Sequence, residues 1–182
     1  MNPNTIHYLN ISLGAGAIAL QVLALVVLVS LFTKTKKSIL LDFLHKHFLS
    51  IGFIIAFLAA FFSLIYSEIL GFAPCLLCWY QRIFLFPAVF LFAVALWDKD
   101  RKVIRYVLPL LSVGFLVALY QNFGYYFGSN SAVICDPSGI SCYQHLISEF
   151  GGYISIPMLS LTTFFALLVL LLAAHFYKKD IV

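Results

Sequence analysis

The sequence predicts an all-α integral membrane bundle of five spanning helices, on the strength of composition, the length of its apolar runs and the placement of its charges. Of the 182 residues, 63% are hydrophobic and only 10% are charged, where an ordinary soluble domain carries about one quarter charged. The mean hydropathy is +1.04. The apolar residues gather into five runs separated by short polar stretches, each near the roughly 20 residues needed to cross a bilayer. Backbone polar groups in lipid must be satisfied within their own segment, so each run is read as a helix. No internal repeat, Gly/Ser linker or low-complexity run marks a boundary, and residues 1–182 are read as a single membrane domain.

The first run, Leu9–Phe32, has no Lys or Arg before it and no polar mature domain after it, so it is read as a permanent span and not a signal peptide. The second, Phe48–Gly71, ends on Gly71 and is followed by Pro74, residue types that end one helix and open the next. The third, Leu76–Trp97, carries Trp79 and Trp97 at its two ends, where aromatic belts form. The fourth is Tyr106–Phe127. The fifth, Tyr153–Tyr177, contains Pro157 near one end, where it opens or kinks the helix.

Short loops rich in Lys and Arg stay cytoplasmic. Lys34, Lys36, Lys37 and Lys46 fall in the first loop, Lys99, Arg101, Lys102 and Arg105 in the third, and Lys178 and Lys179 after the last helix, which puts ten of eleven basic residues on one side. Only Arg82 belongs to the other side, with the uncharged N-terminus and the stretch from Gly128 to Gly152. The expected topology is N-out and C-in. The net charge of +4 then faces anionic lipid, and nucleic acid is not needed to explain it.

That topology gathers all four cysteines, Cys75, Cys78, Cys135 and Cys142, on the extracytoplasmic face, where disulfides persist. Two close pairs read as two disulfides. Static structural bridges are one reading of them. However, Cys75-Leu76-Leu77-Cys78 closes almost no loop, and a bridge there constrains the unfolded chain little. Both sulfurs are expected in the first turn of the third helix, on one face, where the helix dipole favours a thiolate. That arrangement suits a bond that opens and closes. Arg82, four residues after Cys78, either snorkels to the headgroups or lends its guanidinium to the Cys78 thiolate and to a carbonyl oxygen gaining negative charge. These two roles are compatible.

After Cys135, the residues Asp136-Pro137-Ser138-Gly139 suit a type I turn that folds Cys135 and Cys142 toward each other. Ser141 and Gln144 form a capping-box pattern opening a short helix, with Tyr143, Leu146, Ile147 and Phe150 on one face, expected to lie flat on the membrane. The alternative is an ordinary loop. A zinc site has only His145 as a further ligand near this pair, and haem attachment would need His where Trp79 stands, so no metal site is expected. Glu68 reads as an interfacial acid rather than a proton relay, and His45, His47 and His175 read as solvated. A transporter would be expected to show paired broken helices, which are not evident.

The run SEILGFAPCLLCWYQRI, residues 67–83, resembles the signature of the DsbB family of membrane disulfide-forming oxidoreductases, in particular its short BdbC-type branch. The later cysteine loop, followed by Ile154-Ser155-Ile156-Pro157 and an apolar helix, resembles that branch too. The resemblance implies a four-helix catalytic core over residues 48–177, an extracytoplasmic cysteine loop over residues 128–152, and an additional N-terminal span over residues 9–32. It implies a multi-pass protein of the bacterial inner membrane that forms disulfide bonds. A DsbA-type, thioredoxin-like partner would deliver electrons, and a membrane quinone, ubiquinone or menaquinone, would remove them. By position, Cys135 would form the mixed disulfide with the partner, Cys142 would be its bridge mate, Cys75 would exchange with the loop pair, and Cys78 would face the quinone beside Arg82. The close spacing of Cys135 and Cys142 leaves open which of them is attacked. Vitamin K epoxide reductase-like enzymes also pair a bundle with loop cysteines and C-x-x-C, but there the loop pair comes first.

Overall fold

A computed structural model describes residues 3–32, 39–127 and 151–176. Within them, five helices are long and apolar enough to cross a membrane. They are α1 (Pro3–Phe32), α2 (Ile39–Leu64), α3 (Leu76–Asp98), α4 (Ile104–Phe127) and α5 (Ile156–Phe176). A π-helical turn, Ile65–Ile69, extends α2, and a 3-10 turn, Arg101–Val103, leads into α4. The expected all-α membrane bundle is therefore what the chain forms.

Side-chain bonds fix the order of the helices. The start of α1 meets the end of α2, where the Tyr66 hydroxyl donates to Asn10 Oδ1 at 2.6 Å. Gln81 at the start of α3 bonds Gln121 at the end of α4, and Tyr126 at the end of α4 bonds Ser155 just before α5. At the opposite end, the Arg101 guanidinium donates to the His45 carbonyl at 2.7 Å and lies over the Phe48 ring. Successive helices thus alternate in direction, and α1 runs parallel to α5.

Helix α5 is the hub, packed against α1, α2 and α4. Half of its most apolar stretch is buried, against 17% for α1 and α2. Close approach relies on missing side chains: a Cβ on Gly114 would overlap the Phe164 ring, and one on Gly52 would come within 2.8 Å of Phe92. Small residues that admit a neighbour's bulk in this way are the usual currency of helix packing in lipid. The additional helix α1 docks on α5 through Ala24 and Val27 against Ala166, Val169 and Ala173.

Several boundaries differ from expectation. Helix α2 begins at Ile39 and not at Phe48, so Lys46 lies in the helix and not in a loop. Polar residues end an apolar run without ending a helix, because beyond the hydrocarbon they are simply solvated. Helix α5 begins at Ile156 and not at Tyr153, because Ser155 caps it, its Oγ accepting from Met158 N at 3.3 Å. Pro157 then occupies the first turn, where no N–H is missed.

Candidate active site

The C-x-x-C segment is aimed by the chain just before it. The π turn is capped by Leu70, and Gly71 takes a φ of +72°, a conformation that a side chain would resist. The chain then runs without regular structure through Pro74 to Cys75. Here too the structure corrects an expectation. Cys75 is the N-cap of α3, with extended backbone, and only Cys78 lies within the first helical turn. The Cys75 carbonyl still accepts the first helical bond, from Trp79 N at 3.0 Å. The cap-to-third-residue spacing brings the two sulfurs to 3.1 Å, unbonded. A disulfide needs about 2.05 Å, so a small rotation of either side chain closes or opens the bond.

The two sulfurs have different surroundings. Cys75 is buried, 4% exposed. Its thiol is pushed well above the ordinary range, first because its hydrogen bond to Cys78 holds the proton and then because it is buried. Cys78 lies on the wall of a chamber of about 420 Å³ between α1, α2, α3 and α5. Arg82 lies on the same wall, one turn along α3. The Arg82 side chain is 7% exposed and turns inward rather than out to the headgroups. Its Nε donates to Ser63 Oγ at 3.0 Å and one terminal nitrogen to the Ser63 carbonyl at 2.8 Å, while the Trp79 ring lies 5.2 Å from its Cζ. A guanidinium has five N–H donors, so these bonds fix the group without exhausting it.

The spacing of the cysteines gave no hint of the residue that holds both sulfurs. Gln121, on α4 and 2% exposed, places its Nε2 3.5 Å from Cys75 Sγ and 3.6 Å from Cys78 Sγ. Its orientation is set from behind: Gln81 Nε2 donates to Gln121 Oε1 at 2.8 Å, and the Ser160 hydroxyl donates to Gln81 Oε1 at 2.7 Å. Each amide oxygen is occupied by the next donor, which leaves the Gln121 N–H groups facing sulfur. The available signal was that Gln81, Gln121 and Asn122 are polar residues inside otherwise apolar spans, where such side chains face the bundle interior and are commonly functional.

Glu68 is exposed and accepts from the Ser67 hydroxyl at 3.0 Å. Among the described residues no group of three His, Cys, Asp or Glu side chains could hold a metal ion. Cys135, Cys142, the turn between them, the expected surface helix and His145 lie outside the described residues.

A dithiol whose sulfurs lie 3.1 Å apart beside an apolar chamber and a fixed cation is equipped for two-electron thiol–disulfide chemistry. Comparison with known proteins agrees. The family model for the disulfide bond formation protein DsbB matches residues 45–174. The chain is 37% identical over 128 residues to a probable disulfide formation protein C 2 of Bacillus anthracis, covering 70% of this chain and 90% of that protein. It is 34% identical over 122 residues to disulfide bond formation protein C of Bacillus subtilis strain 168, covering 67% and 88%. It is 36% identical over 131 residues to a probable disulfide formation protein of Chlamydia trachomatis serovar D, covering 72% and 94%. No solved structure gives a significant match. The family match begins at residue 45, so α1 lies outside it.

Proposed function

The chain belongs to the DsbB family of membrane disulfide-forming oxidoreductases, and on that premise we propose that it reoxidises a DsbA-type, thioredoxin-like partner outside the cytoplasm and passes the electron pair to a membrane quinone. The observation that carries this reading is the division between the two sulfurs. Cys78 lines the chamber with Arg82, while Cys75 lies 3.1 Å behind it and outside the chamber lining. One cysteine thus faces an apolar ligand site and the other is turned toward the protein.

The chamber suits a quinone. Its volume of about 420 Å³ lies within the roughly 300–1,000 Å³ of small-molecule sites, and its lining is largely apolar with a few polar groups. Cys78 and Arg82 would hold the ring end, and the Ile55, Leu58 and Ala59 side of α2 would hold the apolar remainder. When bound, a quinone supplies a two-electron, two-proton acceptor.

The protein's own steps are exchanges in which every electron pair stays on sulfur until the last. In the proposed order, a partner thiolate attacks the Cys135–Cys142 disulfide, and Cys135 carries the mixed disulfide until the second partner thiol displaces it. The reduced loop pair then attacks the Cys75–Cys78 disulfide at Cys75, which returns the loop disulfide and leaves Cys75 and Cys78 as thiols. Cys75 holds the shared proton, and Cys78 is the sulfur presented to the chamber. Gln121 donates toward both sulfurs and stabilises negative charge on either during exchange. Direction comes from reduction potential: a partner near −120 mV stays oxidised only against a stronger final acceptor. Placing the cysteines outside follows from the charge bias of the loops.

The test is reconstitution of the purified protein with a quinone and a reduced thioredoxin-like partner. Wild-type protein is expected to reduce one quinone per partner disulfide formed. Cys78→Ser and Cys135→Ser are each expected to slow turnover by a factor on the order of 10³ or more. If quinone stays oxidised while both disulfides persist across several partners and quinones, the two bridges are static structural elements instead.

A further inference from the structure

The chamber has a wall that lies outside the family match. Residues 45–174 supply α3, α4, α5 and most of α2, but α1 contributes Ser12, Leu13, Gly16, Ala17 and Leu20 to the chamber lining. These positions follow the i, i+1, i+4, i+5, i+8 pattern of a single helical face. Helix α1 is fixed on both sides of that face. At one end Asn10, 8% exposed, accepts from Tyr66 at 2.6 Å. At the other, Gln21 Nε2 donates to Thr162 Oγ1 at 2.6 Å, and Gln21 Oε1 accepts from the Tyr153 hydroxyl at 2.9 Å. Asn10 and Gln21 are roughly 16 Å apart along the axis at about 1.5 Å per residue, and the chamber-facing residues lie between them.

Polar side chains in a spanning helix are costly unless they find partners. Here they hold α1 to the π turn and to α5, with the face that carries Gly16 and Ala17 between Leu13 and Leu20 turned toward the cavity. A Cβ on Gly16 would meet no atom within 4 Å. Close packing between helices therefore does not explain this glycine, in contrast to Gly52 and Gly114. The space in front of it belongs to the chamber that Cys78 and Arg82 line.

We infer that α1 is a structural wall of the quinone site, closing over a groove between α2 and α5, and that Gly16 sets the room available to the bound quinone. This rests on the quinone reading above. Without α1 the ring end would still meet Cys78 and Arg82, but one flank of the ligand would lie open to acyl chains. With α1 in place the flank is protein, and affinity depends on the size of the residue at position 16.

Two measurements on the full-length protein in detergent or nanodiscs test this. The first is photolabelling of wild type with an azidoquinone, followed by peptide mapping. Label is expected on the Ser12–Leu20 segment as well as on α3, and excess unlabelled quinone is expected to displace it. The second is the equilibrium affinity for quinone, read by tryptophan quenching, in Gly16→Phe and in Val22→Phe, whose side chain is 55% exposed on the outer surface. Gly16→Phe is expected to weaken binding by about tenfold or more, and Val22→Phe to leave it unchanged. Label confined to α2, α3 and α5, label on α1 that unlabelled quinone does not displace, or equal affinity in the two variants would overturn the role of α1 while leaving the quinone reading intact. Wild-type protein that binds no quinone would overturn both.

Discussion

At the end of the bundle remote from the cysteines, Phe48, Phe92, Val107, Leu111, Leu167 and Leu171 form a dry core whose members are all but inaccessible. At the cysteine end the same helices bury Gln81, Arg82, Gln121, Ser155 and Thr162, and they leave a chamber of about 420 Å³. One end fills space, with the Phe92 ring set against Gly52, and the other leaves space and lines it with bonded polar groups. In lipid, where no hydrophobic force separates helix from solvent, packing at the first end holds the bundle together. That frees the second end to carry an open volume and polar side chains whose hydrogen bonds contribute only about 1 kcal/mol each. Substitutions at the two ends should therefore fail differently.

The largest effect is expected from Gly52→Leu, which drives a side chain into the Phe92 ring, away from the chamber. Overpacking costs about 1–3 kcal/mol, or several degrees in thermal unfolding. The melting temperature in detergent should fall while turnover per folded molecule changes little. A loss of turnover with unchanged melting would break the contrast between the two ends.

Gln121→Leu should differ in its effect on exchange. It removes the donor to both sulfurs and strands the Gln81 amide, which costs about 1–3 kcal/mol of stability, so melting falls by a similar amount. We expect thiol–disulfide exchange per folded molecule to slow by about tenfold to a hundredfold as well. Retained exchange kinetics would show that the amide is packing alone.

The proton held on Cys75 gives a pH signature. Because its thiol is raised in the folded, reduced protein, less thiolate is present at a given pH than on a free cysteine. Alkylation of Cys75 at pH 8–9 should lag behind that of an ordinary thiol. The sign for stability follows: the folded state binds this proton more tightly than the unfolded chain does. The contribution is fully present below the unfolded thiol value of about 8.5 and is lost as pH rises beyond it. Mass-spectrometric trapping that finds Cys75 modified as fast as a free thiol would contradict the assignment.

Ser160→Ala should have the smallest effect. The serine sits on the chamber wall and orients Gln81, two bonds removed from sulfur, and loss of one neutral bond costs about 1 kcal/mol. A severalfold slowing is expected, clearly less than that of Gln121→Leu. Equal effects would mean that the polar chain acts as a unit rather than as a graded support.

Much of this was legible in the chain. Five long apolar runs under a lipid constraint leave little choice of fold, and C-x-x-C beside an isolated arginine marked the site, because both signals are local. The boundaries that shifted, Ile39 and Ile156, depend on where water begins and on the Ser155 cap, neither of which hydropathy records. The inward turn of Arg82 depends on Ser63 in another helix, and the place of α1 depends on Asn10 and Gln21 finding Tyr66, Thr162 and Tyr153. Such contacts join residues far apart in sequence. Gln81 and Gln121 could have been flagged as polar residues in apolar spans, but their pairing could not, since it requires the register of α3 against α4.

The most direct test of the central claim, that Cys75 and Cys78 form the redox pair emptied by quinone, is thiol trapping of that pair in anaerobic, quinone-depleted membranes. With a reduced partner present, both cysteines should be trapped as thiols, and adding quinone should convert them to a disulfide with an equal amount of quinol formed. A pair that stays in one state before and after quinone addition, while the partner is oxidised all the same, would contradict it.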